Sequence, residues 1–422
     1  MNRFIGFLAF ILILSFPLNQ IFCQTDSDTL FTLEKVVSSA LKDNPDLKAS
    51  YQLWQASRNR ISQALAPSKP QLGVRYEGLP LGSFNLNKYE LRTFLFSQEL
   101  MFPSRYFSMR KMSLSESDIA SSFYQDKKVE IIQKVKSAYF DLFLNFKHIE
   151  IFQENLSLLE HFVKVAQIKY STGEAPQSDI LKAQVELAKM TNELVTMRAM
   201  LEVSKGRLNI LMNHLPSAPL SIQTDIVIPD FTWVLSDLQD KAFYSNPLLT
   251  ASKSMVDVQK SSFSLAKQGY LPDFMFEYMR MKTKEGMRDW GLEFRTSIPF
   301  WFLLKEKNEV NEKKANLLSA ESDYQNMKNE ISFEVQMAYV NTQASYRLMK
   351  LYQESFLAQA EEALRVAEAN YTANLTDFLT LLDAQRTLRE TRLDYYKAIV
   401  DYLQNLASLE RAVGANLYGW GG

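Results

Sequence analysis

Two stretches of the chain place a tyrosine, a short polar break and acidic side chains in the same order. They are YSTGEAPQSDILKAQ from Tyr170 and YTANLTDFLTLLDAQ from Tyr371. The first carries Asp179, the second Asp377, Thr380 and Asp383. Hydroxyls and carboxylates near a helix start can hydrogen-bond, cap the helix or attract cations. They do not form a nucleophile with its base, and the chain has no Gly-rich phosphate loop, no GxSxG and no zinc-type Cys/His cluster. His148, His161 and His214 are scattered without ligand spacing, and the pair Glu361–Glu362 lies on a polar helical stretch that reads as solvated. Of the 16 methionines, Met101, Met109, Met275, Met279, Met281 and Met287 fall near candidate β-hairpins. Their thioethers suit copper or silver, and equally suit the filling of irregular space. The chain reads as a non-enzyme with no cofactor.

Composition narrows the setting. Arg3 is followed by an apolar run from Phe4 to Phe16 and then by Pro17, which reads as a secretory signal peptide over residues 1–23. Cys23 is the only cysteine and a possible lipidation point, although the preceding QIF lacks the small residues a lipoprotein signal uses. The 47 basic and 48 acidic side chains nearly cancel, so no nucleic-acid partner is implied. Past the signal, no run of about 18 apolar residues could form a spanning helix. Only 13 glycines and 13 prolines punctuate 422 residues, which implies long helices.

The paired stretches belong to a longer duplication. Asn44-Pro45 matches Asn246-Pro247, Pro70 and Tyr76 match Pro272 and Tyr278, and Ala138-Tyr139 matches Ala338-Tyr339. VAQIKY matches VAEANY, and Ala183-Gln184 matches Ala384-Gln385, all in the same order. Each copy carries a short helix, Asn-Pro, a medium helix, two alternating segments between prolines, and a long helical hairpin. The expected units are a first repeat over 24–220, with a β-hairpin at 70–100 and a helical hairpin at 104–213, and a second over 221–422, with a β-hairpin at 272–299 and a helical hairpin at 303–413. Alternation puts Leu72, Val74 and Tyr76 on one strand face, and Trp290, Leu292, Phe294 and Ile298 on another.

The long helices repeat apolar residues in steps of four and three, as in Ile131, Val135, Ala138 and Leu142, and a 3.5-residue period requires a packed neighbour. A helix over 104–170 would be roughly 100 Å long and could not bury its stripe in a compact domain. Strands of about ten residues suit a tilted membrane-crossing strand, but four cannot close a barrel. The expected fold is mainly α with a small β part. Closure requires several chains: a trimer would give a 12-stranded transmembrane β-barrel with four strands from each chain, continued by an α-barrel of antiparallel coiled-coil hairpins.

With these features the sequence resembles the outer membrane efflux proteins of the TolC type over nearly all its mature length. The resemblance implies a homotrimer in the outer membrane of a Gram-negative bacterium, with a large periplasmic portion. It also implies a periplasmic adaptor and an inner-membrane pump as partners, and contact with outer-membrane lipid. The paired turns would be the periplasmic tips. Gly173, Glu174, Ala175, Asn374, Leu375 and Thr376 become adaptor-docking candidates, and Asp179, Tyr371, Asp377, Thr380 and Asp383 candidates for the aperture. Asn374 stands where the family pattern has Gly, Thr376 where it has Arg, and Thr380 where it has a carboxylate. An Asp179–Tyr371 hydrogen bond could survive these exchanges, and an arginine lock in its usual place could not. Without the resemblance, a periplasmic coiled-coil scaffold that conducts nothing is the other reading.

Overall fold

The computed structural model describes residues 30–82 and 85–418; the signal segment and Cys23 lie outside them. Each block opens on a short helix that ends at its Asn-Pro. Helix α1 (Leu33–Asp43) ends at Asn44, whose Oδ1 accepts the N–H groups of Asp46 (3.0 Å) and Leu47 (3.3 Å) and so caps α2 (Pro45–Gln63). Proline suits the first helical position, where its φ is pre-set and no N–H is needed. The other end of the Asn44 amide donates to the carbonyl of Leu211 at 3.0 Å, at the far end of the long hairpin. Asn246, between α5 (Leu235–Ser245) and α6 (Pro247–Lys267), repeats both roles: Oδ1 accepts from Leu248 and Leu249, and Nδ2 donates to Ala412 at 2.9 Å. One side chain therefore starts a helix and satisfies a carbonyl that the long hairpin's end leaves open.

Four antiparallel strands follow one another in a meander: β1 (Gln71–Glu77), β2 (Leu91–Leu100), β3 (Phe274–Thr283) and β4 (Arg288–Thr296). The two hairpins thus join through β2 and β3, with Phe96 opposite Tyr278. Strands β1 and β4 are shorter than the sequence pattern suggested. One sheet face exposes Leu72, Val74, Phe94, Phe96, Trp290, Leu292 and Phe294, while the other carries Arg75, Glu77, Glu277, Glu293 and Arg295. At the neck, Arg105 grips Asp273 through two hydrogen bonds of 2.7 and 2.8 Å, pinning the first long helix to the start of β3.

The first hairpin consists of α3 (Pro103–Ser171) and α4 (Gln177–Leu211). Its counterpart is α7 (Glu306–Leu351), a π-helical turn at Tyr352–Phe356, α8 (Leu357–Thr372) and α9 (Phe378–Val413). The π turn accounts for a slip between the copies. Buried Ile131, Val135 and Ala138 answer to buried Ile331, Val335 and Ala338 at an offset of 200, whereas buried Ala166 answers to buried Ala367 at 201. One extra residue lies between. A π turn closes its hydrogen bond over one more residue than an α turn, so it absorbs the insertion without rotating the helix beyond it.

Burial is spread along the length rather than centred. One cluster joins Val36, Val135, Phe140 and Tyr402 near the middle. A second, around Phe162, Met190, Phe378 and Leu381, sits toward the turns. A third packs Leu238 and Ile331 against Leu409. No helix among the described residues is long and apolar enough to cross a membrane.

Candidate functional site at the paired helix turns

Both turns are built alike. After α3, Gly173 takes φ +78°; its N–H donates to the carbonyl of Tyr170 at 3.1 Å, and the N–H of Glu174 donates to that of Lys169 at 2.8 Å. After α8, Asn374 takes φ +58°; its N–H donates to Tyr371 at 3.2 Å, and that of Leu375 to Asn370 at 2.8 Å. This pair of bonds closes a helix through a left-handed residue, which Gly adopts freely and Asn tolerates. The Gly-to-Asn exchange therefore leaves the turn's geometry intact.

The next residues start the return helices differently. Asp377 is the N-cap of α9: its Oδ1 accepts from the N–H of Thr380 at 2.9 Å and from its hydroxyl at 2.6 Å. These bonds hold the Asp377 carboxyl below the usual range. Thr380 thus supports the cap. In the first turn the cap position is Pro176, without a side-chain bond, and Asp179 is buried in the first turn of α4, with Lys182 at 4.0 Å.

Tyr371 is buried against Phe378, ring centroids 5.4 Å apart. Burial first, and then the charge of Asp179, push its phenol up to about 12. The Asp179–Tyr371 hydrogen bond that the sequence left room for is absent: the two groups feel each other, but the Tyr371 hydroxyl has no partner. Lys169 fastens the two turns together. Its ammonium, buried, donates to the carbonyl of Thr372 at 3.1 Å and to Oδ1 of Asn374, and lies 5.0 Å from the centre of the Tyr371 ring. Asn374 also donates to Glu174 across the turns at 3.3 Å.

An arginine tie exists, displaced from the turn. Arg386 donates through Nε to Glu186 at 3.0 Å and through Nη2 to its other oxygen, joining α9 to α4, with Arg389 3.9 Å from the same carboxylate. These guanidinium contacts hold Glu186 below its ordinary range. Asp383 lies one turn earlier and is exposed. Together with Asn370, Thr376 and Thr380 it lines a groove of about 780 Å³ between α8 and α9. Ala175 is half-buried, and Glu174 and Leu375 are exposed. Lys169, Glu186 and Arg386 carry no sequence signature, since each is one charge among several in a helical pattern. Among the described residues no group of three His, Cys, Asp or Glu side chains is placed to hold a metal ion.

Long helical hairpins that end in tight turns, continued by a small sheet with one aromatic face, are the architecture of outer-membrane channel proteins. The chain belongs to the outer membrane efflux protein family, whose model matches residues 36–214 and, a second time, 238–415. It is accordingly an outer-membrane protein with a large helical portion. It is 20% identical over 403 residues to the outer membrane protein TolC of Salmonella enteritidis, covering 90% of this chain and 82% of that one. It is 19% identical over 388 residues to the cobalt-zinc-cadmium resistance protein CzcC of Cupriavidus metallidurans, covering 91% and 90%. The solved structure of the channel CusC superposes with a TM-score of 0.78 at 17% identity, over 91% of this chain and 92% of that one.

Proposed function

We propose that three copies of this chain close into one passive duct across the periplasm and outer membrane. The duct would be the exit of a tripartite efflux system of the RND type or of a type I secretion system. The sheet carries the argument. Its apolar face is exposed and both of its outer strands, β1 and β4, end the order with unpaired edges. In lipid an open edge leaves backbone groups without partners, so the sheet must close through other copies, giving twelve strands from three chains. The helices make the same demand. Leu181, Val185, Val195, Val203 and Ile210 expose one stripe on α4, and Phe333, Met337, Val340, Leu348 and Leu351 another on α7. Both repeats, 24–220 and 221–422, would then contribute one β-hairpin and one helical hairpin to each third of the wall.

In this assembly the paired turns sit at the periplasmic end. Gly173, Glu174, Ala175, Asn374, Leu375 and Thr376 meet the adaptor, and the inner-membrane pump supplies the energy. Asp179, Tyr371, Asp377, Thr380 and Asp383 surround the aperture, where Asp383, exposed and repeated three times about the axis, forms a carboxylate ring that favours cations. The solutes carried are drugs, metal ions or other exported molecules; the name of CzcC brings metal ions among them. Membrane fractionation and single-channel recording test the duct. The expected result is an outer-membrane trimer that conducts, and whose cation selectivity falls in Asp383→Ala. A soluble monomer without conductance, as a periplasmic scaffold would be, overturns the duct, and unchanged selectivity overturns the ring. Crosslinking from Glu174 or Leu375 that captures no adaptor in cells overturns the docking role.

A further inference from the structure

The outward face of the sheet changes character along its length. In an antiparallel sheet, residues directly opposite one another share a face. Toward the helices the rows are mostly apolar, with Leu72, Phe96, Tyr278 and Leu292 in register across all four strands and only Gln98 and Thr296 polar in the rows beyond. One step outward the row reads Val74, Phe94, Arg280 and Trp290. The last row, next to the loops farthest from the helices, reads Tyr76, Arg92, Lys282 and Arg288. Three cations thus stand side by side on neighbouring strands, and a fourth, Arg280, stands one row below. Strands lie about 4.8 Å apart, so the three span roughly 10 Å.

Like charges placed directly opposite destabilise a sheet, and this row has no internal remedy. Among the described residues none of the four makes an ion pair; Glu90 and Glu285 sit in the flanking loops and pair with none of them. The acidic residues of the strands, such as Glu77, Glu277, Asp289 and Glu293, fall on the opposite face by register. The Arg92 guanidinium lies 5.5 Å from the centre of the Tyr89 ring and 5.1 Å from that of Phe94, and its buried Nε has no hydrogen-bond partner. Arg92, Phe94, Phe96, Arg280, Lys282 and Arg288 line a groove of about 530 Å³ on this face. The site therefore offers unneutralised cations above an aromatic floor that runs on into apolar rows.

We infer that this end of the sheet binds the phosphorylated glycolipid of the outer leaflet, with head-group phosphates on Arg92, Lys282 and Arg288 and acyl chains along the apolar rows below. The inference rests on the outer-membrane barrel proposed above, which sets the loop end of the sheet at the outer leaflet. The fit is chemical. Guanidinium groups take phosphate oxygens in pairs, the bound anion removes the repulsion within the row, and the aromatic shelf faces the start of the acyl chains. A phospholipid with one phosphate would leave part of the row uncompensated, and a free phosphate would leave the apolar groove unused.

The test uses the full-length protein, purified in detergent and stripped of lipid. It is titrated with lipid A, with lipid A whose phosphates have been removed, with phosphatidylglycerol and with inorganic phosphate, and binding is read by native mass spectrometry and thermal unfolding. Lipid A is expected to bind at least tenfold more tightly than each of the others. The combined variant Arg92→Gln, Lys282→Gln, Arg288→Gln is expected to fall to the level of dephosphorylated lipid A. Equal binding of the two lipid A forms overturns the inference on the unmodified protein, whatever the variant's folding. Equal binding of phosphatidylglycerol or of phosphate overturns the choice of glycolipid. A protein that conducts in bilayers yet ignores the phosphates sinks this inference alone, whereas one that does not insert sinks the barrel with it.

Discussion

Tyr371 is the residue of the turns whose chemistry is least settled by its neighbours. Its ring is well packed against Phe378 and Lys169, yet its hydroxyl is buried without a partner, and such a group costs about 1–3 kcal/mol. Tyr371→Phe is therefore expected to hold or raise stability by up to about 1–2 kcal/mol, since it keeps the ring and removes the orphan. The pH dependence fixes the sign independently. Burial, then the Asp179 charge, push the phenol up to about 12, so the folded state favours the neutral form. That contribution is complete below the unfolded phenol's pKa of about 10 and is lost as pH rises from about 10 through about 12. Thermal unfolding of both proteins at pH 9 and pH 11.5 should show the variant's advantage growing with pH; a constant difference would sink the assignment. Tyr371 and Asn374 stood out in the sequence because the duplication sets them against Tyr170 and Gly173, and Asp179 because of the family resemblance. Lys169 and Arg386 did not, because their partners lie 203 and 200 residues away and a charge on a helix announces no partner so distant.

Helical periodicity gave the long elements nearly to their ends: the pattern over 104–170 became α3 at Pro103–Ser171. Strand ends were less legible, since alternation continues past the last hydrogen-bonded pair. The π turn at Tyr352–Phe356 escaped altogether, because a single added residue shows only as an offset that moves from 200 to 201. Its role can be tested by deletion at equivalent sites. Gln153 in α3 and Gln353 in the π turn are both exposed and lie 200 positions apart. Removing Gln353 should convert the π turn to α and leave Ala360, Leu364 and Ala367 facing inward, with stability within about 1 kcal/mol of the parent, the range of most surface changes. Removing Gln153 from a helix with no slack rotates the segment beyond it by about 100°. Leu159 and Phe162 then leave the core, a loss of about 1.5–3 kcal/mol each. Chemical unfolding of the two deletions should therefore differ by several kcal/mol, and equal losses would mean that the π turn absorbs nothing.

At the scale of the whole molecule, the chain displays apolar surfaces and open strand edges that the proposed trimer would cover, with lipid against one sheet face and other copies against the strand edges and the helical stripes. The duplication and the alternating segments announced this in the sequence, whereas the meander that joins the two hairpins through β2 and β3 needed the structure, because strand pairing across about 180 residues leaves no local trace. The two sides of β4 separate the roles cleanly. Leu292 lies in the middle apolar row of the outward face, and Glu293, its neighbour in sequence, points to the polar face with Arg295. An arginine facing lipid at the bilayer midplane costs about 2–4 kcal/mol, and a closed trimer would meet that cost three times over. Leu292→Arg is therefore expected to abolish insertion or trimer assembly, read as loss of the outer-membrane fraction. Glu293→Gln should assemble normally and change only ion selectivity, because in the proposed barrel its side chain would face the water-filled interior. If both variants inserted equally well, the aromatic face would not be the lipid face, and the barrel built on it would fall.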